Sequence, residues 1–429
     1  MRIAIIGAGV GGMAAAHDLI KAGHTVTLLE AAGNVGGLAA GFKEPHWDWS
    51  VEQFYHHWFL SDDEMFGLMR EVGLEDGVEV RRPKTVSYYN GKFYPLDSPL
   101  AALTFPGYGF FDMVRFGLVT VYLRYLANWR SLEKHTADSW LRRWYGPRVY
   151  DMLYEPLLQG KFGKHKSEVN MAWFWARIKA RTTKLATYRG GFQRFCDLLA
   201  ENLRGRGATI RLNTPVANIR PAAEGGVDID VAGQSEHYDR ALVTVSPGLL
   251  ARLAPDLPGE YLQGLLSLKS MGAVVLVMSL KHQLSKEGYY WFSIPKSAGF
   301  PFLALVEHTN FLSPEYFGGD HIIYCGDYLD TDHEYFRLSQ DELLERFLPS
   351  FQRFNPDFQR DWIKNCWLFR APYAQPIPLV NHSQNIPAIQ TPMPGLYFAS
   401  MSQVYPWDRG TNFAVQIGRR AAREMLAGM

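Results

Sequence analysis

The sequence predicts an α/β protein in which a Rossmann-like nucleotide-binding domain, built from discontinuous segments, is joined to a second domain of mixed sheet and helices. Three observations predict it. The chain opens as strand, glycine turn, helix and strand within about thirty residues. It closes on another strand, GLYFAS at 395–400, followed by a helix from about 411 to 426. The stretch between differs in character, with aromatic-rich helical patterns over about 100–184 and strand-like runs at 273–280 and 321–328.

The opening elements follow from residue type. RIAII (2–6) is a β-branched strand, GAGVGG a tight turn, and Ala14, Leu19 and Ile20 mark a helix that stops at Gly23 before the strand TVTLLE (25–30). Ser61 to Glu64 reads as a capping box opening a helix with Met65, Leu68, Met69 and Val72 on one side. TVSYYNGKFYPL (85–96) reads as a hairpin turning at Asn90-Gly91. Residues 188–219 read as turn, helix and strand, and 227–245 as a hairpin ending in the buried strand ALVTV.

Composition narrows the function. The 429 residues are 47% hydrophobic and 20% charged, a globular balance that excludes a disordered or fibrous chain. Lys+Arg 44 against Asp+Glu 43 leaves +1, so no net field favours nucleic acid. Cys196, Cys325 and Cys366 are far apart and in no ligand spacing. They predict a reducing, cytoplasmic setting without disulfides or a metal site. The apolar start could pass for a signal peptide, but a buried strand and glycine turn explain it better. The most membrane-like run, Leu103 to Trp129, contains Asp112, Arg115 and Arg124. It cannot span a bilayer cheaply; it can lie on one, or be buried within the protein.

The chemistry sits first in Gly7-x-Gly9-x-x-Gly12. Gly7 permits the turn, Gly9 lets a pyrophosphate approach the backbone, and Gly12 lets the helix close on the strand. Val10, Gly11 and Gly12 open a helix whose N–H groups point at the phosphates. Glu30, eighteen residues past Gly12, is placed to accept from a ribose, and its charge disfavours a 2′-phosphate.

The segment Glu30-Ala31-AGNV-Gly36-Gly37-Leu38 carries a glycine pair after the ribose acid, and with it the chain resembles the flavin amine oxidase superfamily, which includes protoporphyrinogen oxidases, phytoene desaturases and amine oxidases. UDP-galactopyranose mutase is a more distant relation. Tyr188-Arg-Gly-Gly191 looks like the family's return to its FAD domain, and Val216 stands where the backbone meets the adenine side. Pro394 to Ser400 and Arg409-Gly-Thr411-Asn412 onward look like the closing flavin segment, whose helix points its N-terminus at the pyrimidine end of the ring. The resemblance therefore implies FAD, held by these residues with Trp407 against the flavin, and since no Ser-Gly-Cys attachment motif precedes the closing helix the FAD is expected to be non-covalent.

Departures refine the expectation. Ser400-Met401 replaces the usual glycine-acid pair, and Ala273 stands about where many amine oxidases carry a lysine. Both argue for dehydrogenation of a lipophilic small molecule rather than an amine, by hydride transfer to flavin. Arg370 and Tyr405 are the candidate catalytic residues by the resemblance, with Arg370 equally an anion anchor or a structural ion pair. Glu52 and His56 read as an acid or base beside the ring, or as loop braces; His56 and His57 do not make a metal site. Glu307 to Asn310 breaks an apolar surround and reads as pocket lining. The FAD domain is expected at 1–80, 186–270 and 385–429, and the substrate domain at 81–185 and 271–384. A mutase-like reaction, with Arg370 and Arg409 facing a diphosphate, is one alternative, and a flavin amine oxidase the other. A peripheral membrane contact is compatible with either.

Overall fold

A computed structural model describes residues 1–428. The first helix, Val10–Lys21, carries the chain from the strand Arg2–Ile6 to its parallel neighbour Thr25–Leu29. Three distant stretches complete a five-stranded parallel sheet in the order 209–211, 25–29, 2–6, 240–243, 396–398. Strand alternation divides its faces: Ile3 and Ile5 pack under the first and closing helices, Ala4 and Ile6 under the three-stranded meander of 216–238. The closing helix, Thr411–Ala427, and the expected hairpin are both present, the latter with Asn90 and Gly91 at φ +46° and +82°.

A seven-stranded mixed sheet lies beyond, in the order 363–376, 270–280, 321–329, 304–307, 291–293, 85–89, 92–95. Every pairing is antiparallel except 291–293 with 85–89. One face buries Leu276, Met278 and Leu305 with the helix Gln340–Phe351. The other buries Val277 and Tyr324 with Trp47 and Trp49. Between residues 99 and 180 the expected helical layer packs around Leu141, Tyr145, Tyr150, Phe162 and Trp173. Two of its turns, Tyr122–Leu126 and Tyr150–Tyr154, widen to π-helix.

The capping box expected at Ser61 does not form. Asp62 is the N-cap of the helix Asp63–Glu71, its carboxylate accepts from the Phe59 N–H at 3.0 Å, and Ser61 donates to the Ala180 carbonyl. A long-range partner has taken the hydroxyl that a local cap would have used.

The first and closing helices touch backbone to backbone. A Cβ on Gly418 would stand 2.1 Å from the Gly11 carbonyl oxygen, and one on Gly11 would stand 2.9 Å from the Ala414 oxygen. Gly418→Leu is therefore expected to cost about 3 kcal/mol or more through forced separation of the helices. Gly264→Ala, in an exposed helix with nothing near its Cβ, should stabilise by about 0.5–1 kcal/mol. Thermal unfolding of the two variants checks the contrast; equal melting points would refute the close contact.

Candidate active site

The turn after the first strand forms a cradle. Gly7 has φ +104° and donates its N–H to the Leu29 carbonyl at 2.9 Å. A Cβ on Gly12 would lie 2.2 Å from the Gly7 oxygen, so only glycine lets the helix sit this close. Gly9 is the N-cap of the first helix, with Val10 buried behind it, and a Cβ there would meet nothing nearer than the Gly37 Cα at 3.9 Å. Gly36 donates to the Ala8 carbonyl at 2.9 Å and lays the second glycine pair along the first turn. The space in front of Gly9 is thus open, bounded by backbone, and faced by unpaired helix N–H groups.

Glu30 stands at the end of its strand, its carboxylate accepting from Ala8 N–H (2.7 Å) and Ala32 N–H (2.9 Å). Ala31 beside it is exposed, and Val216 is half-buried at the head of its strand. Leu38 packs with Phe54, Ala273, Ala371, Ala374 and Tyr328. Ala273, paired with Ala371 across the strands, makes this a small-residue roof where a lysine was expected to be missing.

The closing segment supplies the other wall. Thr411 Oγ1 accepts from Trp58 Nε1 (2.8 Å) and Asn412 Oδ1 from Met65 N–H (3.0 Å). These side chains pin the closing helix and leave the backbone N–H groups of its first turn as donors. Ser400 N–H donates to Gln403 Oε1 at 2.7 Å, while Ser400 Oγ is buried without a partner among the described residues. That orphaned hydroxyl, the open cradle and the two helix N-termini fit a dinucleotide. Trp407 stacks on Phe413 (5.5 Å, 10°) and meets Trp175 at 5.6 Å.

Neither catalytic candidate is left free. Arg370 alternates with Phe369: the phenyl ring faces Phe42 and Phe54, whereas the guanidinium lies on the opposite face and donates to the carbonyls of Tyr335 and Leu338. Tyr405 donates to Glu133 (3.0 Å) and accepts from Asn170 (3.1 Å), tying the closing loop to the helical layer. The Glu307–Asn310 stretch is also structural. Glu307 accepts from the N–H groups of Leu284 (2.7 Å) and Ser285 (2.9 Å), and Asn310 braces Tyr289.

Other groups occupy the interior beside the cradle. Glu52 pairs with Gly41 across a short β-bridge and accepts from Phe192 N–H at 3.1 Å, with its second oxygen unpartnered. Burial pushes its carboxyl up to about 7. Burial likewise drives the imidazoles of His56 and His57 down to about 4 and about 3, leaving both neutral. Tyr55, Tyr290 and Tyr324 bring three more unpartnered hydroxyls, with ring centroids 5.5–5.7 Å from the Tyr55 ring.

On the helical side, Gln375 Oε1 accepts from Arg409 Nε (2.9 Å) and Lys161 Nζ (3.4 Å), and Arg177 pairs with Asp408 at 2.8 Å. Sequence reasoning left Lys161, Arg177 and Arg181 unremarked. The one available signal was Arg177 and Arg181 at helical i,i+4 spacing after the buried Trp173 and Trp175.

Comparison with known proteins agrees with this geometry. The family model for flavin-containing amine oxidoreductases matches residues 10–426. The 15-cis-phytoene desaturase of Capsicum annuum is 26% identical over 255 residues, which are 53% of this chain and 43% of that protein. The chain spans about half the length of the curated relatives it matches. Two solved structures share the fold over the whole chain. A putative protoporphyrinogen oxidase from Exiguobacterium sp. 255-15 has TM-score 0.78 and 18% identity, covering 100% of this chain and 99% of that one. A reduced UDP-galactopyranose mutase has TM-score 0.76 and 17% identity, covering 100% and 96%. With the fingerprint turn, the ribose acid and the closing helix converging on one cradle, and the family model matching nearly end to end, the chain belongs to the flavin-containing amine oxidoreductase family.

Proposed function

We propose that the protein holds FAD non-covalently and transfers a hydride from a C–H bond of a small molecule with an apolar body to the flavin. The observation that carries this is the convergence of two helix N-termini, an orphaned Ser400 hydroxyl and an alanine-lined roof on one open cradle. Glu30, held by two backbone N–H groups, suits a ribose without a 2′-phosphate. The buried thiols of Cys196 and Cys325 are pushed up and stay protonated, which supports non-covalent binding. The FAD domain would comprise 1–80, 186–270 and 385–429, with 81–185 and 271–384 around the substrate.

A bound flavin supplies the two-electron acceptor. The chain supplies the rest. The closing helix directs N–H donors at the place where negative charge develops. Ala273, Ala371 and Ala374 shape an apolar ceiling, and Phe54 and Leu38 exclude water. Glu52 is a protonatable group beside the cradle that exchanges its proton near neutrality. A non-redox, mutase-like reaction is the second reading, favoured by the cations around Gln375. It is distinguished by turnover that requires reduced flavin yet leaves it reduced.

The surface of the helical layer supports peripheral membrane docking, although no helix among the described residues is long and apolar enough to cross a bilayer. Phe111, Val114, Leu118, Val121 and Tyr125 recur at helical spacing and are 85%, 45%, 68%, 53% and 71% exposed. Nearby in the helical layer, Arg130 and Arg143 are exposed without an ion pair among the described residues, whereas Arg142 and Arg148 pair with Asp151 and Asp112; an anionic phospholipid surface is the partner this reading takes.

Three outcomes follow. The purified protein should show flavin absorbance that dithionite bleaches, and Gly9→Val should lose it, because the new side chain would fill the phosphate space; a fully yellow variant would displace the cofactor from this cradle. Wild type should float with vesicles of phosphatidylcholine and phosphatidylglycerol, and Phe111→Glu/Leu118→Glu should remain at the bottom of the gradient. The raised Glu52 carboxyl contributes stability present below its ordinary value of 4.5 and lost as pH rises through about 7. Glu52→Gln keeps the acceptor for Phe192 and should exceed wild type by about 3 kcal/mol at about pH 8, with the gap closing toward acid. A gap that does not change with pH would refute the assignment.

A further inference from the structure

Lys161, Arg177, Arg181 and Arg409 come together from three separate elements: the helix Glu155–Phe162, the helix Met171–Ala180 with its C-cap Arg181, and the loop before the closing helix. Asp408 is the carboxylate among them, and Arg177 takes it at 2.8 Å. The Arg409 guanidinium meets only neutral groups, donating to Gln375 Oε1 and the Tyr328 hydroxyl and lying 4.9 Å from the Tyr328 ring centroid. Lys161 Nζ shares the same Gln375 oxygen at 3.4 Å and lies 4.5 Å from the same ring. Arg181 makes no side-chain hydrogen bond or ion pair among the described residues and is open to solvent. The cluster thus sets four basic side chains against one carboxylate, Asp408, around a glutamine that is 1% exposed and donates to it at 3.3 Å.

Like charges held together in this way repel. Burial, then Arg409 and Arg177, hold the Lys161 ammonium well below its usual range. Arg177 pulls Arg181 down, and burial followed by Arg177 brings Arg409 down to about 10. The neutral His57 faces the same space, with Arg181, Arg177 and Arg409 all opposing its protonation. A cluster with one carboxylate for four basic side chains, beside Trp173, Trp175 and Trp407, is costly to maintain unless a ligand of opposite charge completes it.

We propose that Lys161, Arg177, Arg181 and Arg409 form a binding site for an anionic group, a phosphate or a carboxylate, carried by the substrate. The inference rests on the flavin reading above and specifies its substrate as amphipathic: an apolar body under the alanine roof and an anionic head over Tyr328 and Gln375. Tyr328 belongs to both places, packing with Ala273 and Leu38 and lying under the two cations. Lys161 meets the anion as a point charge, and Arg181, whose guanidinium is not engaged by another side chain's hydrogen bond, offers a planar fork.

The test titrates inorganic pyrophosphate and, separately, succinate into the flavin-loaded protein at constant ionic strength, following tryptophan fluorescence with calorimetry in parallel. Saturable binding is expected, weakened roughly tenfold or more by Arg181→Gln and by Lys161→Met, since each removes one charge-assisted contact. Arg181 is exposed and makes no side-chain hydrogen bond or ion pair among the described residues, so its replacement leaves no partner unsatisfied and keeps the comparison clean. Tighter pyrophosphate identifies a phosphate head, tighter succinate a carboxylate head. Flavin-loaded wild type that binds neither anion, or binds them equally well in both variants, overturns the proposal while the flavin reading stands. Protein that takes up no flavin overturns that reading, and calorimetry on the same sample still decides the anion site.

Discussion

The contact between the first and closing helices at Gly11 and Gly418 sets the position of everything else at the cradle. With no side chain at either position, the two helices approach backbone to backbone, and their N-termini come to the same space from different ends of the sequence. The same requirement recurs where Gly12 rests on the Gly7 carbonyl. Partial charges at helix ends act over about one turn, so a displacement of either helix would take its donors out of reach of the ligand. Glycine here is a geometric necessity for electrostatics.

Much of the cradle was legible because its determinants are local. A β-branched run, glycines at fixed offsets and an acid at the next strand end each act within a few residues, and Gly7, Gly9, Gly12, Glu30 and the Gly36-Gly37 pair all stand where they were read. The hairpin at Asn90-Gly91 was legible for the same reason. What stayed hidden depends on partners far along the chain. Arg370 was expected near the substrate, but the face it takes was set by the strand 363–376 and its register against 270–280. Tyr405 was expected at the flavin, yet Glu133 and Asn170, more than two hundred residues earlier, hold its hydroxyl. The cation cluster draws on positions 161, 177, 181 and 409, and no local pattern links them.

The interior beside the cradle shows two ways of burying polar groups. Glu307 and Asp320 are fully partnered, the first by two backbone N–H groups and the second by His46, Trp47 and Lys364, and they brace loops. Glu52, Tyr55, Tyr290 and Tyr324 keep unpartnered atoms around one small volume. Satisfied groups specify the architecture, whereas unsatisfied ones remain available to a guest. Glycines and helix ends shape the cradle, whereas tyrosines supply the unpartnered hydroxyls beside it.

The sheet that bears the cradle takes its edge strand from residues 396–398 and its last donor helix from 411–427. A chain emerging from the ribosome N-terminus first has made the fingerprint turn early, yet it cannot complete the cradle until residues 396–427 have emerged. The nascent chain must keep the exposed edge of the strand 240–243 from pairing elsewhere while it waits for its final neighbour.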